Sequence, residues 1–213
     1  MTSLVILDFD GTLADTQPLI VQSLQGAIAE LGLPSRTDAE CISIIGLPLK
    51  ECFVQLLGVD DAMGERCCEV YRRLFDENNH PGTVTLFPGV ESTLRELHGC
   101  GLKLAICSSR AHCTLDRFVK TFGFEALVQA VVSSDDVSRG KPYPDPALRA
   151  LELVGCQPEE SLVVGDASYD ILMGRAAGCR TCGVTYGNQS ADQLREAGAD
   201  WLIDDFVKLL DIV

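Results

Sequence analysis

The sequence LVILDFDGT, residues 4–12, decides the fold of this 213-residue chain. Its four apolar residues, two of them β-branched, predict a short strand buried on both faces, as in parallel sheets. Asp8 and Asp10 follow the strand directly, and Gly11 then permits a tight turn. Ligands of open parallel sheets bind beyond the carboxyl ends of the strands. The stretch therefore predicts both a parallel α/β fold and the position of its functional site.

Further apolar runs repeat this pattern of strand, turn and helix along the chain. The predicted strands are Leu4–Leu7, Leu102–Cys107, Leu127–Val132, Ser161–Val164, Thr181–Val184 and Ala199–Ile203. The helical patterns that follow include His112–Phe122, Asp145–Val154 and Ser168–Ala177. Such alternation predicts a Rossmann-like core, a parallel sheet with helices on both faces.

The alternation stops between Asp15 and Pro88, where helical patterns follow one another. They cover Leu19–Leu31, Asp38–Ile45, Leu49–Leu57 and Ala62–Asn78, and glycine or proline turn signals separate them. The sequence therefore predicts an all-helical cap subdomain of residues 16–87. It would be inserted into a core domain made of residues 1–15 and 88–213.

The charge of the chain limits its partners. The formal net charge is −14, which repels nucleic-acid backbones and anionic lipid surfaces, so we expect neither as a partner. No apolar run approaches the roughly 20 residues of a membrane span. The first residues lack the basic and apolar regions of a signal peptide, so we expect a cytoplasmic protein. An anionic substrate would need a local cation to offset the acidity.

Ten cysteines do not indicate disulfides in a cytoplasmic chain. We interpret them mainly as small buried apolar residues. Cys179 and Cys182 form one C-x-x-C pattern, but no second pair completes a zinc site. The pattern also follows a helix, whereas a thioredoxin-type redox turn opens one, so we assign it no function.

A second pair of carboxylates, Asp166 and Asp170, follows another apolar run and a glycine. Crowded carboxylates repel one another and stay ionised beside a cation, and oxygen ligands suit Mg²⁺. If both strands end at one edge, Asp8, Asp10 and Asp166 would supply metal ligands there. The simpler alternative is that Asp166 or Ser168 only caps the next helix.

Two further strand ends carry groups that bind anions. Ser108, Ser109 and Arg110 lie between a predicted strand and a helix, where hydroxyls and amides form anion sites. Lys141 lies in a loop with three prolines, and a rigidly held ammonium can neutralise a phosphate. A plain helix cap and a solvated loop lysine are the simpler alternatives.

The order of these motifs resembles the haloacid dehalogenase-like superfamily of phosphatases that use an aspartate nucleophile. That superfamily carries D-x-D-G-T, a serine or threonine, a lysine before a proline, and G-D-x-x-x-D. In this chain these are residues 8–12, Ser108, Lys141 with Pro142, and residues 165–170. The helical insertion resembles the type-1 cap. IGLPL at 45–49, FPGV at 87–90 and GVTYG at 183–187 resemble the phosphoglycolate phosphatase group.

The resemblance implies roles for individual residues. Asp8 would be the nucleophile that forms an aspartyl-phosphate, and Asp10 would be the general acid and base. Mg²⁺ would be bound by the side chains of Asp8 and Asp166 and by the backbone carbonyl of Asp10. Asp170 would support the metal shell or orient Lys141.

The resemblance also implies how the phosphoryl group is held. Ser108 and Lys141 would contact its oxygens, with help from the amides of Phe9 and Ser109. Ser109 and Arg110 stand where the phosphatase group often has asparagine and lysine. Arg110 would still add positive charge, as a supporting residue.

Several alternatives stay open at this point. A true dehalogenase lacks the second aspartate, whereas this chain has Asp10. A mutase of the β-phosphoglucomutase type usually carries a histidine soon after the position of Thr16, where this chain has none. A phosphonate hydrolase would need a cap lysine, for which Lys50 is the candidate. A regulatory protein that has only kept the fold would not need the full set of acids.

The sequence leaves the substrate open. Phosphoglycolate is the first candidate by resemblance, followed by pyrophosphate, a nucleoside monophosphate or another small phosphomonoester. Lys50, Arg72 and Arg73 are candidates for a contact with a substrate carboxylate. A monomer and a homodimer both fit the sequence.

Overall fold

The structure, a computed structural model, describes residues 2–213. Its strands are β1 (Leu4–Leu7), β2 (Ala14–Asp15), β3 (Thr85–Leu86), β4 (Lys103–Cys107), β5 (Ala130–Val132), β6 (Ser161–Gly165), β7 (Arg180–Val184) and β8 (Trp201–Ile203). Its α-helices are α1 (Gln17–Glu30), α2 (Asp38–Ser43), α3 (Leu49–Leu57), α4 (Asp61–Asn78), α5 (Val90–Gly99), α6 (His112–Thr121), α7 (Asp145–Val154), α8 (Ser168–Ala176) and α9 (Ala191–Glu196).

The core is a six-stranded parallel sheet in the order β5-β4-β1-β6-β7-β8. Strand β1 lies between β4 and β6, and all four of its residues are fully buried. The predicted Rossmann-like α/β fold is thus confirmed. The carboxyl ends of β4, β1 and β6 are neighbours at one edge, where parallel sheets bind ligands.

Helices cover both faces of the sheet, and the residues of β1 alternate between them. Leu4 and Ile6 share an apolar cluster with residues of α7 and α8. Val5 and Leu7 belong to a larger cluster that includes residues of α5 and α6. Successive side chains of a strand point to opposite faces, so each face receives two apolar side chains from four residues.

Helices α1 to α4 lie between the two short strands β2 and β3, which pair antiparallel with Ala14 opposite Leu86. Helix α4 packs against both α1 and α3. Helix α1 begins at Gln17, earlier than expected, because Pro18 is well suited to the first turn of a helix. The division into a core of residues 1–15 and 88–213 and a cap of residues 16–87 stays a prediction.

Two predicted strands begin two or more residues later in the structure. The expected strand Leu127–Val132 retains only Ala130–Val132, because the preceding chain turns through a 3₁₀ helix at Phe124–Ala126. The last strand begins at Trp201 because Asp200 turns its carboxylate onto the backbone N–H of Thr181 at 2.7 Å. Neither change alters the order of the sheet.

All ten cysteines lie in the described residues and are free. Seven are buried: Cys41, Cys52, Cys67, Cys68, Cys107, Cys179 and Cys182. Burial, with a smaller effect of Glu159, raises the pKa of Cys179 to about 11, and burial raises the pKa of Cys182 to about 12. Both thiols of the C-x-x-C pattern therefore stay protonated at neutral pH, which supports the interpretation as buried apolar residues. Within residues 2–213, no helix is both long and apolar enough to cross a membrane.

Candidate active site

The residues that directly follow three neighbouring strands lie at the same edge of the sheet. Asp8 follows β1, Ser108 follows β4, and Asp166 follows β6, and all three are buried. The amide of Asp8 donates to Val164 O at 2.9 Å, and that of Ser108 donates to Val132 O at 3.0 Å. The hydrogen-bond ladder of the sheet therefore continues one residue past the strands and holds these side chains in position.

Asp8, Asp166 and Asp170 form a buried acidic cluster, in which one ligand atom of each lies within 4.8 Å of the others. Burial, together with the neighbouring carboxylates, raises the pKa of Asp8 well above its ordinary value although Lys141 opposes the shift. Burial and Asp170 also raise the pKa of Asp166, to about 7. Buried carboxylates that crowd in this way supply the oxygen ligands that a hard divalent cation prefers.

Lys141 brings one positive charge into this cluster. It is only 2 % exposed, contacts Asp8 Oδ1 through Nζ, and lies 2.6 Å from Asp170 Oδ1. Burial disfavours its charged form, but Asp170 and Asp8 outweigh burial and raise the pKa of Lys141. Asp170 Oδ2 accepts a hydrogen bond from the amide of Ala167, at the start of α8. When all three carboxylates are ionised, one ammonium leaves the cluster negatively charged, which fits a bound cation.

Asp166 accepts hydrogen bonds from the loop after strand β7, for which the sequence predicts no role. Asn188 donates to Asp166 Oδ2 twice, from its backbone N at 2.7 Å and its Nδ2 at 2.6 Å. Gln17, at the start of α1, donates to Asn188 Oδ1 at 2.9 Å. A Cβ atom on Gly11 or Gly187 would come within 2.3 Å of Asp166, and Gly11 also has φ of +84°. Asn188 lies in the loop that follows strand β7, which ends at Val184. Its place near a strand end was the sequence signal for a further site residue.

Asp10 lies beside the cluster and is bound by Arg110. The guanidinium contacts both carboxylate oxygens, at distances between 2.6 and 2.9 Å. Thr16 Oγ1 donates to the same carboxylate at 2.6 Å, and Ser108 Oγ lies 3.4 Å from Oδ2. The sequence predicts Arg110 as a supporting charge in the site, but it does not predict the pairing of Arg110 with Asp10.

Ser109 uses its side chain to join two parts of the molecule. Its hydroxyl donates to the backbone O of Gly46 at 2.6 Å, in the turn between α2 and α3. The hydroxyl therefore contacts the helical segment made of α1 to α4 and is not free to bind phosphate, while the predicted phosphate contact of the Ser109 amide stays a prediction. Any contact of Ser109 with a phosphoryl group would come from its backbone amide.

A cavity of about 320 Å³ opens onto Asp8 and Asp10 from the side of the helical segment. Lys50 and Arg72 line it, whereas Arg73 pairs with Glu30 and Glu77 on the exposed surface. Two of the three cap cations suggested by the sequence therefore reach the cavity.

The geometry agrees with a comparison against known families. Residues 5–184 match the family model of the haloacid dehalogenase-like hydrolase, most of the chain. The chain belongs to the haloacid dehalogenase-like hydrolases. The family resemblance seen in the sequence is thus confirmed.

Curated members of this family are similar over almost their whole length. Pyrophosphatase PpaX of Halalkalibacterium halodurans is 35% identical over 211 residues, which cover 98% of this chain and 95% of that protein. Probable phosphatase IndB of Dickeya dadantii is 33% identical over 215 residues, covering 99% of this chain and 93% of that protein. Together with the family match, these relatives identify the chain as a phosphatase.

Solved structures of the family share its fold. A hydrolase from Pseudomonas syringae superimposes with a TM-score of 0.90 at 28% identity, covering 100% of this chain and 97% of that one. A protein from Haemophilus somnus described as a predicted phosphoglycolate phosphatase has a TM-score of 0.87 at 25% identity, with 99% and 97% covered.

Proposed function

We propose that the protein is a Mg²⁺-dependent phosphatase of small phosphomonoesters that works through an aspartyl-phosphate on Asp8. The observation that carries this proposal is the buried contact between Asp8 and Lys141 inside the acidic cluster. An isolated nucleophilic carboxylate would be repelled by a phosphate dianion. The adjacent ammonium, together with a cation held by the cluster, offsets this repulsion.

The donor set of the cluster fits Mg²⁺, which prefers a few carboxylate oxygens and keeps several waters. The side chains of Asp8 and Asp166 and the backbone carbonyl of Asp10 would hold the ion, with Asp170 in support. Asp170 Oδ1 is buried and, among residues 2–213, has no hydrogen-bond partner apart from its ion pair with Lys141. When bound, Mg²⁺ would neutralise charge on the phosphoryl oxygens.

The protein groups account for both steps of hydrolysis. An oxygen of Asp8 attacks phosphorus, the bond to the leaving oxygen breaks, and Asp10 donates a proton to that oxygen. Lys141 and Ser108 contact the phosphoryl oxygens as their charge redistributes. Asp10 then takes a proton from water, which attacks the phosphorus of the intermediate. Inorganic phosphate leaves, and Asp8 is restored.

Similarity to other proteins, apart from the shape of the cavity, suggests two candidate substrates. Phosphoglycolate is favoured by the resemblance of the sequence motifs and by the similar structure described as a predicted phosphoglycolate phosphatase. Inorganic pyrophosphate is the second candidate, because a relative that is 35% identical carries the name pyrophosphatase. A mutase activity lacks the expected histidine after Thr16, where α1 begins with Gln17 and Pro18.

Phosphate release by the purified protein tests the mechanism. The assay uses a panel of small phosphomonoesters and pyrophosphate, with Mg²⁺ and with EDTA, on the wild type and on Asp8→Asn. Asp192→Asn, which changes an exposed carboxylate on α9, is the matched control. We expect turnover that needs Mg²⁺, is abolished in Asp8→Asn and is kept in Asp192→Asn. Turnover that survives in Asp8→Asn would refute the assignment of the nucleophile.

A further inference from the structure

The cavity that opens onto Asp8 and Asp10 is small. Its volume of about 320 Å³ is near the lower end for ligand sites in proteins. Because the phosphoryl group must lie beside Asp8, the remaining space has to receive the leaving group. That space admits a small leaving group, and the side chains around it decide which kind.

The wall of this cavity is largely apolar. Ile20 and Leu24 come from α1, Leu47 and Leu49 from the turn and first residue of α3, and Tyr71 and Phe75 from α4. Most of these side chains are more than nine-tenths buried, so the helical segment holds them firmly. An apolar wall gains from contact with an apolar leaving group and does not replace the water that an anionic one loses.

Most charges on the wall are already paired within the protein. The cavity is lined by three cations, Lys50, Arg72 and Arg110, and by five carboxylates, Asp8, Asp10, Glu65, Asp76 and Asp135. Asp8 and Asp76 pair with Lys141 and Arg117. Arg110 is occupied by Asp10. Lys50 Nζ lies 3.5 Å from Asp61 and 3.6 Å from Glu65. These two cations are already neutralised by acids of the protein.

Arg72 is the one cation of the wall that makes no ion pair within residues 2–213, and it is exposed to solvent. A solvated guanidinium attracts an anion weakly, because water screens the charge. Apart from Arg110, which Asp10 occupies, the described wall therefore has no buried cation of the kind that recognises a second phosphate or a carboxylate in other sites.

We infer that the enzyme selects phosphomonoesters whose leaving group is small, neutral and largely apolar, an aryl or alkyl alcohol, and discriminates against pyrophosphate and phosphoglycolate. This inference rests on the proposed function, because it takes Asp8 as the position of the phosphoryl group. An anionic leaving group would lose its water against apolar side chains with no buried, unpaired cation among the described wall residues to receive it, whereas a neutral one meets no such cost.

The decisive comparison is between p-nitrophenyl phosphate and pyrophosphate. Their leaving groups have similar acidity, so a difference in kcat/KM reports recognition by the cavity. At a fixed concentration of free Mg²⁺ we expect kcat/KM to be at least about 10-fold higher for the aryl ester. Phosphoglycolate against butyl phosphate provides a second pair, with the same expected order.

A lysine introduced into the cavity wall tests whether the missing positive charge causes the expected substrate preference. Leu49 is half-buried at the start of α3, so a longer polar side chain can be accommodated there. Leu49→Lys is expected to raise the ratio of pyrophosphate to aryl-ester kcat/KM by about 10-fold, and the neutral control Leu49→Gln to leave that ratio within about 2-fold of wild type. If Leu49→Lys does not fold, the wild-type comparison still decides.

Equal or better turnover of pyrophosphate or phosphoglycolate by the wild type would overturn the inference. If Arg72→Gln then abolished that preference, Arg72 would be the anion contact that the inference denies. These outcomes leave the proposed function intact as long as Asp8→Asn is inactive. No turnover of any substrate, or turnover that is independent of Asp8, would instead refute the proposed function itself.

Discussion

Arg110 binds both carboxylate oxygens of Asp10, although the two residues are 100 positions apart in the chain. The guanidinium lies against two rings, 4.7 Å from the centre of Phe75 on α4 and 5.0 Å from that of Phe118 on α6. Planar stacking and a bidentate contact suit arginine and no other residue. The helical segment and the core thus jointly orient the group proposed as general acid and base.

Loss of the contact between Arg110 and Asp10 is expected to lower kcat more than it weakens substrate binding. In Arg110→Gln we expect kcat to fall by about 10-fold or more, because general acid–base catalysis depends on the position of the carboxylate. Arg110→Lys keeps the charge but loses the planar guanidinium that contacts both oxygens. Its kcat should therefore lie between those of wild type and Arg110→Gln. Steady-state kinetics with p-nitrophenyl phosphate measure both. Arg95→Gln, which changes an exposed pair with Glu91, is the control. A raised KM with unchanged kcat would instead make Arg110 a substrate contact.

Lys141 should matter for stability as well as for activity. Removing the ammonium in Lys141→Met leaves Asp8 and Asp170 as buried charges without their partner. We expect the free energy of unfolding to fall by about 3 kcal/mol, with loss of activity. The double variant Lys141→Met with Asp170→Asn should recover part of that stability and remain inactive. Urea denaturation in EDTA measures the stabilities. A double variant no more stable than the single one would contradict the predicted coupling.

The acidic cluster predicts an unusual pH dependence for the metal-free protein. Burial and Asp170 raise the pKa of Asp166 from its ordinary value of 3.8 to about 7. Between these values the folded protein binds a proton that the unfolded chain has released, so stability falls as pH rises from about 4 to about 7. One proton corresponds to a slope of at most about 1.4 kcal/mol per pH unit.

Unfolding in EDTA at several pH values checks this slope, with Asp166→Asn as the comparison. Other carboxylates titrate in both proteins, and Asp136, whose pKa is lowered mainly by hydrogen bonds from Ser133 against the effect of burial, adds a trend of the opposite sign. The difference between the two stability curves reports Asp166 together with its effect on Asp8, whose pKa is also raised. We expect wild type to lose stability relative to Asp166→Asn as pH rises. Parallel curves would refute the prediction.

The parallel sheet and the positions of the strand-end residues could be predicted from the sequence. Asp8, Ser108 and Asp166 each follow an apolar run, and parallel strands bring such positions to one edge whatever the loops between them do. The pairing of Arg110 with Asp10 could not be predicted, because it depends on how α4 packs against α6. The side-chain contact of Ser109 with Gly46 likewise depends on where the helical segment meets the core.

Asn188 is the site residue that sequence reasoning missed, since an asparagine in a loop is typical of ordinary turns. Its two hydrogen bonds hold Asp166 Oδ2, and partners of metal ligands commonly affect metal affinity by 10- to 100-fold. We expect Asn188→Ala to weaken Mg²⁺ binding by about that factor. Gln17→Ala removes only the hydrogen bond to Asn188, so its effect should be smaller.

Calorimetric titration with Mg²⁺ in the absence of substrate measures these affinities directly. Asn188→Asp keeps the size of the side chain and loses the Nδ2 donor, while it adds a negative charge next to Asp166. It therefore separates attraction of the cation from orientation of its ligand. If charge alone governed affinity, Asn188→Asp would bind Mg²⁺ more tightly than wild type. We expect weaker binding than in wild type, because a carboxylate at this position repels Asp166 and withdraws the hydrogen bond that orients it.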